Sequence, residues 1–106
     1  MIKVSVMYPY TEGKAFDFEY YCNTHMGMAR RLFGAACKGV AVEEGLSSAE
    51  PGSRATYIAL GHIYFDSVES FHECFDPNAA EMMDDLPNYT EIQPIIQVSE
   101  VKMQLL

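Results

Sequence analysis

The sequence contains no tryptophan, few cysteines and few basic residues. Its three cysteines, Cys22, Cys37 and Cys74, are odd in number and show no C-x-x-C spacing. We therefore expect free, reduced thiols in a cytoplasmic protein. Seven Lys and Arg stand against 15 Asp and Glu, which gives a net charge of −8. Nucleic acids and anionic membranes favour clustered basic residues, so we expect neither as a partner.

Several site-forming patterns are also absent. The chain has no apolar run near the roughly 20 residues of a membrane span, no signal-peptide pattern, no glycine-rich phosphate loop and no nucleophile elbow. His25, His62 and His72 do not show the spacing of a metal site, so we expect neither a metal nor another cofactor. His72 lies in an acid-rich stretch and is expected at the surface.

What is present is a set of clear periodicities. Alternating apolar residues predict four strands: Ile2–Tyr8, a second around Val40 and Val42, Ala55–Phe65, and a fourth within Ile92–Met103. A first helix is expected over Asp17–Phe33, with Asp17 as its cap and Gly34 at its end. A second helix is expected after an Asp66 cap, with an interruption at Asp76-Pro77 and an end at Pro87.

The resulting order is β-α-β-β-α-β, which predicts one ferredoxin-like α+β domain over residues 1–106. Such a sheet carries both helices on one face and leaves the other face bare. Alternation in Ala55–Phe65 places Ile58, Leu60, His62 and Tyr64 on one face and further apolar residues on the other. Because both faces are largely apolar, we expect a second copy of the chain to cover the bare face as a homodimer.

His25 lies near the centre of the apolar stripe of the first helix, where an amphipathic helix normally carries Leu. A buried imidazole without a hydrogen-bond partner costs about 1–3 kcal/mol, so a partner is expected. A core histidine with a satisfied partner and a functional histidine both fit this position.

The motif Tyr20-Tyr21-x-x-Thr24-His25-Met26, followed by Arg30-Arg31-Leu32, resembles the signature of the EthD family of small dimeric α+β barrel proteins. The segments 64–71 and 87–94 resemble the second and third blocks of the same family. That family usually follows His-Met with Pro-Leu, whereas this chain has Gly27-Met28. Glycine disfavours a helix interior, so the helix either continues through Gly27 or breaks there.

The resemblance implies a dimeric barrel linked to the monooxygenase degradation of an ether. Some barrels of this kind bind haem, but no residue of this chain is marked as an axial ligand. The polar-tipped residues on apolar faces form the predicted site, with His25 as the candidate acid or base. The other predicted site residues, which would bind substrate, are Tyr8, Tyr21, His62, Tyr64 and Tyr89.

Three functional hypotheses remain open from the sequence. The first is an enzyme of oxidative catabolism or secondary metabolism that acts on a small hydrophobic, aromatic or carbonyl compound, with His25 as general acid or base. The second is a non-catalytic dimer that carries such a ligand for a partner monooxygenase. The third is a structural adaptor without an accessible cavity. A titrating His25 would distinguish the enzyme from the carrier, since both need the pocket.

Overall fold

The computed structural model describes residues 1–106 and contains one four-stranded antiparallel sheet. Its strands are β1 (Ile2–Pro9), β2 (Gly39–Glu44), β3 (Tyr57–Phe65) and β4 (Ile95–Glu100), in the spatial order β2-β3-β1-β4. This order, with two helical segments crossing one face, is the ferredoxin-like α+β arrangement. The predicted fold class is confirmed.

The first helical segment is continuous but not regular. It consists of α1 (Phe18–Tyr20), a π-helical turn (Tyr21–His25), α2 (Met26–Phe33) and a 3₁₀ turn (Gly34–Ala36). Asp17 is the N-cap as predicted, because its carboxylate accepts a hydrogen bond from the Tyr20 backbone N–H. The segment leaves α-helical geometry at Gly34, whose φ is 55°.

The second helical segment consists of α3 (Val68–Phe75), a 3₁₀ turn (Asp76–Asn78), α4 (Ala79–Asp84) and a 3₁₀ turn (Leu86–Asn88). The predicted Asp66 cap is wrong. Ser67 is the N-cap, because its hydroxyl accepts a hydrogen bond from the Ser70 backbone N–H. A serine hydroxyl satisfies a free N–H of the first helical turn about as well as an aspartate carboxylate does.

Strand β4 is shorter than the predicted Ile92–Met103. Pro94 lacks a backbone N–H for the ladder, so pairing begins at Ile95. At the other end, Val101 donates to the Met1 carbonyl and the residues beyond it have no paired strand in β1. Ile92 is buried in the core instead, with 2% of its surface exposed.

The register of β1 and β3 assigns their residues to the two faces of the sheet. Val4 pairs with Ile63 and Tyr8 pairs with Ala59, and these residues form the core beneath the helices. Lys3 pairs with Tyr64 and Ser5 pairs with His62 on the face that no helix covers. No helix of the chain has both the length and the apolar character needed to cross a membrane.

Candidate functional site

The π-helical turn positions two aromatic rings beneath the first helical segment. The Met26 backbone N–H bonds the carbonyl of Tyr21, five residues earlier, as a π-turn requires. Tyr21 and His25 are both buried, and their rings stack with centroids 5.2 Å apart and planes 13° from parallel. The irregularity therefore lies before Gly27, within the residues that carry the site. Such turns occur frequently at functional sites.

His25 is paired with a carboxylate that the sequence analysis did not select. Its Nδ1 lies 2.8 Å from Oδ2 of Asp85, and 5% of the residue is exposed. Asp85 also accepts hydrogen bonds from the Tyr20 hydroxyl at 2.7 Å and from Asn88 Nδ2 at 3.0 Å. The hydrogen bond to Asp85 in turn raises the pKa of the Tyr20 hydroxyl.

The surroundings of Asp85 keep it ionised. Burial by itself would raise the pKa of this carboxyl group, but hydrogen bonds from Asn88, Tyr20 and His25 outweigh burial and hold the pKa below its ordinary value. An ionised carboxylate can only accept, so the proton of the shared bond lies on His25 Nδ1. In the neutral ring, Nε2 is then an unprotonated base, and it makes no hydrogen bond to the protein.

The sequence does not single out Asp85, because helical periodicity places both Asp84 and Asp85 on the solvent face of the second helix. In the structure α4 ends at Asp84, and Asp85 is the C-cap residue, where the chain turns into the next 3₁₀ turn. That change of direction, which helical periodicity does not encode, points the Asp85 side chain at His25. The one available signal was its place two residues before the segment 87–94 that resembles a family block.

Tyrosine side chains form the second part of the site. The hydroxyls of Tyr8 and Tyr89 lie 2.8 Å apart, and both residues are buried. The Tyr89 ring also packs against His25, with centroids 4.7 Å apart. Burial raises the pKa of Tyr8 and of Tyr89, and it raises the pKa of Tyr21 to about 12. All three phenols therefore remain protonated hydrogen-bond donors at neutral pH.

Two adjoining cavities, each of about 50 Å³, lie between the sheet and the helices. Each is large enough for a few water molecules, for which roughly 10–15 Å³ apiece is needed. The residues that line both cavities are Val6, Tyr8, His25, Phe75, Met82 and Ile96. Further methionines at their walls can change rotamer to admit a larger group, because Met side chains are unbranched and flexible.

Four of the six predicted site residues are thus brought together: His25, Tyr8, Tyr21 and Tyr89. The other two, His62 and Tyr64, lie on the opposite face of the sheet. His62 Nδ1 lies 3.0 Å from the Ser5 hydroxyl, and its Nε2 lies 3.3 Å from Glu43 Oε1. Tyr64 lines a separate groove of about 300 Å³ together with Lys3 and Glu43. Neither residue contributes to the His25 cavities.

The remaining titratable residues do not assemble into another centre. No group of three or more His, Cys, Asp or Glu side chains has the proximity needed to hold a metal ion. His72 is half-exposed and bonds Asp76, one helical turn further on, at 3.0 Å. The three cysteines are all unpaired.

Comparisons with known proteins agree with this architecture. The chain is 42% identical to an EthD-like protein from Ralstonia eutropha, whose crystal structure superimposes with a TM-score of 0.93 over 98% of this chain and 94% of that one. An ethyl tert-butyl ether D (EthD) family protein from Bacillus halodurans is 17% identical, with a TM-score of 0.65 over 95% of this chain and 98% of that one. A protein from Arabidopsis thaliana shares the fold at 14% identity, with a TM-score of 0.66 over the full length of both chains.

No curated protein matches the chain. The sequence model of the EthD domain, however, matches residues 11–93, which include His25, Asp85 and Tyr89. This match covers most of the chain, and the similarity to the Ralstonia relative covers 98% of it. The protein therefore belongs to the EthD family.

Proposed function

We propose that this protein binds a small hydrophobic aromatic or carbonyl compound in the cavities beside His25 and that His25 acts on it as a general base and acid. One observation carries the proposal: His25 bonds Asp85 through Nδ1 at 2.8 Å, its other ring nitrogen has no hydrogen-bond partner within the protein, and the residue lines an apolar cavity. That nitrogen is therefore available to a bound molecule, whereas both ring nitrogens of His62 already have partners within the protein.

The chemistry follows from this arrangement. His25 Nε2 accepts a proton from the compound, and the ionised Asp85 stabilises the imidazolium that forms. A hydroxyl of the Tyr8–Tyr89 pair donates to the oxygen on which negative charge develops. Proton transfer by a positioned side chain typically contributes about 10²–10⁴-fold to a rate.

The setting that we propose is oxidative catabolism or secondary metabolism in the cytoplasm. The Bacillus relative carries ethyl tert-butyl ether in its family name, which supports a link to the breakdown of small organic compounds. Three unpaired cysteines support a reducing compartment. A role as carrier for a partner monooxygenase would use the same cavity without the proton transfer.

Hydrogen–deuterium exchange at a ketone tests the base directly, because it needs no knowledge of the natural substrate. Acetophenone is small, planar and uncharged, and loss of its methyl protons in D₂O is followed by proton NMR. We expect the protein to accelerate this exchange and His25→Leu to abolish the acceleration. His62→Gln is the matched control and should retain it, since His62 lies on the other face of the sheet.

The outcomes separate the hypotheses. Acetophenone that binds without exchange would favour the carrier and refute the base. Exchange that survives in His25→Leu would also refute it. A thermal melt of the same variant completes the test: Leu suits the apolar surroundings of residue 25, so we expect His25→Leu to fold. A large loss of melting temperature with binding retained would make His25 a core residue.

We also propose that the protein is a homodimer through the sheet face that no helix covers. Met7 and Leu60 pair on that face, and Ile95, at its edge, is 50% exposed. Lys3 and Glu43 lie on the same face and carry opposite charges. A two-fold dimer can therefore pair Lys3 of each copy with Glu43 of the other.

A charge on either face of β3 tests this proposal. Leu60→Lys places a charge on the uncovered face, so we expect a folded monomer in light scattering at micromolar protein. Ile63→Lys places the charge in the core beneath the helices, so we expect it to unfold the chain. A wild-type protein that runs as a monodisperse monomer would refute the dimer.

A further inference from the structure

The cavities beside His25 contain no positive side chain. None of the residues that line either cavity is Lys or Arg, and all but His25 are apolar residues or tyrosines. The one formal charge bonded to the site is negative, on Asp85. A ligand that arrives as an anion would lose its hydration and, beside a neutral His25, would approach this carboxylate without a counter-ion. The net charge of −8 opposes it further.

The site nevertheless offers one free acceptor and one free donor. The acceptor is His25 Nε2, because Nδ1 is committed to Asp85. The donor follows from counting protons: Tyr8 and Tyr89 each carry an O–H, but their mutual hydrogen bond uses only one of the two. Tyr21, whose ring packs against Tyr8, carries an O–H of its own and therefore does not reduce the number of donors.

An acceptor and a donor at the same cavity match a hydroxyl group that gives up its proton. His25 and Tyr8 line both cavities, so a single bound group can meet both. Neither a carbonyl oxygen nor an ether oxygen carries a proton that it could donate to His25 Nε2. A phenol or an enol meets both groups through one oxygen.

We propose that the His25 pocket selects uncharged compounds that carry a weakly acidic phenol or enol O–H and converts them on binding into the bound anion. The O–H bond of the ligand breaks and an N–H bond forms at His25 Nε2, so the proton stays within the site. The resulting imidazolium is paired with Asp85 on one side and with the ligand anion on the other. The anion oxygen accepts the free O–H of the tyrosine pair. This inference rests on the proposed function, because it needs the pocket to bind a small molecule.

The absorption spectrum of 4-nitrophenol reports this proton directly, because the phenolate is yellow and the phenol is nearly colourless. The titration is made at a pH at which the free probe is mostly protonated. We expect the phenolate band to appear as wild-type protein is added.

Two compounds with the same ring serve as matched ligands: 4-nitroanisole has no acidic proton, and 4-nitrobenzoate is a permanent anion. We expect 4-nitroanisole to bind at least about tenfold more weakly, as for one lost hydrogen bond. We expect no binding of 4-nitrobenzoate.

Two variants assign the effect to Asp85. Asp85→Asn removes the charge that stabilises the imidazolium, so we expect the phenolate band to be lost. Asp84→Asn removes a neighbouring exposed charge that makes no such bond, and it should leave the band unchanged. The comparison of the three ligands on the wild-type protein does not depend on either variant, so it decides the matter even where Asp85→Asn folds poorly.

The failures of the two proposals can be told apart. Binding of 4-nitrophenol without the phenolate band, or binding of 4-nitrobenzoate as tightly as of 4-nitrophenol, would overturn this inference while leaving acetophenone exchange intact. Failure of every nitro compound to bind, together with no acetophenone exchange, would overturn the proposed function and this inference with it.

Discussion

The two buried histidines of this protein have similar burial and different bonding. His25 is 5% exposed and His62 is 8% exposed, and each lies within hydrogen-bond reach of a carboxylate. His62, however, uses both ring nitrogens, one for Ser5 and one for Glu43. His25 uses one, the other has no partner within the protein, and the residue lines a cavity. Burial and an acidic partner are common to both histidines, so the proposed role of His25 rests on its unbonded ring nitrogen.

The partners differ as well. The Asp85 side chain is 14% exposed and accepts three hydrogen bonds, whereas the Glu43 side chain is 55% exposed. An ion pair with an exposed carboxylate is screened by water and contributes little. We therefore expect substitutions on the His25 side of the sheet to have the larger effects on stability.

Among the substitutions that compare the two histidine sites, the largest effect is expected from Gly61→Ala, which disturbs only the His25 side. A Cβ added at Gly61 would overlap the Tyr21 hydroxyl and lie 3.2 Å from the ring carbon that bears it. Tyr21 is almost fully buried and cannot move aside freely. We expect a loss of about 2–3 kcal/mol in the free energy of unfolding, towards the upper end for an overpacked core, measured by urea denaturation.

A second substitution identifies the cause. Tyr21→Phe removes the hydroxyl that the new Cβ meets, so Gly61→Ala should be much less costly in the Tyr21→Phe protein than in the wild type. This double-mutant cycle isolates the contact. Equal costs in the two backgrounds would show that Gly61 is required for its backbone and not for the room that it leaves to Tyr21.

The sequence was sufficient to predict the fold and to predict which residues of each strand share a face. Alternation correctly grouped His62 with Tyr64 and Tyr8 with the other core residues of β1, because each strand has a period of two. Periodicity within a strand does not say which groups of different strands share a face. The register does, and it pairs Tyr8 with Ala59 and Ser5 with His62, so His62 faces away from His25.

Asp85 and the π-turn lay beyond sequence reasoning for a related reason. Both are departures from a regular helix: one at its end, the other within it. Helical periodicity assumes 3.6 residues per turn and therefore cannot locate the extra residue of a π-turn. The long-range pair His25–Asp85, 60 residues apart, joins the π-turn to the end of α4.

A smaller effect is expected from Asp85→Asn. This substitution removes the largely buried carboxylate that distinguishes the His25 site from the His62 site. We expect a loss of about 1–2 kcal/mol in the free energy of unfolding at neutral pH, because charged hydrogen bonds are replaced by neutral ones. Asp84→Asn, a neighbouring exposed carboxylate, should change the free energy by no more than about 0.5 kcal/mol.

The pH dependence of this difference has a definite sign. Because the folded protein holds the pKa of Asp85 below its ordinary value of 3.8, the stabilisation is fully present above that value. It is lost as the pH falls through the lowered pKa of the folded state. The destabilisation by Asp85→Asn should therefore shrink on acidification below the ordinary value. A difference that stays constant or grows in acid would mean that Asp85 is not held ionised by its partners.

The smallest effect is expected at Gly27, two residues after His25. A substitution there tests whether the backbone after His25 is a regular helix. The helix continues through Gly27 without a positive φ, and an added Cβ would meet nothing within 4 Å. Gly27→Ala should therefore stabilise the protein by about 0.4–1 kcal/mol, mainly because alanine restricts the unfolded chain. Gly34→Ala is the contrasting variant: Gly34 has a φ of 55°, which strains any other residue, so it should destabilise. Thermal melts of both variants, with acetophenone exchange as a check on the site, make the comparison. Destabilisation by Gly27→Ala would mean that the backbone after His25 departs from a helix in solution, and that the position of His25 depends on a break there rather than on the π-turn before it.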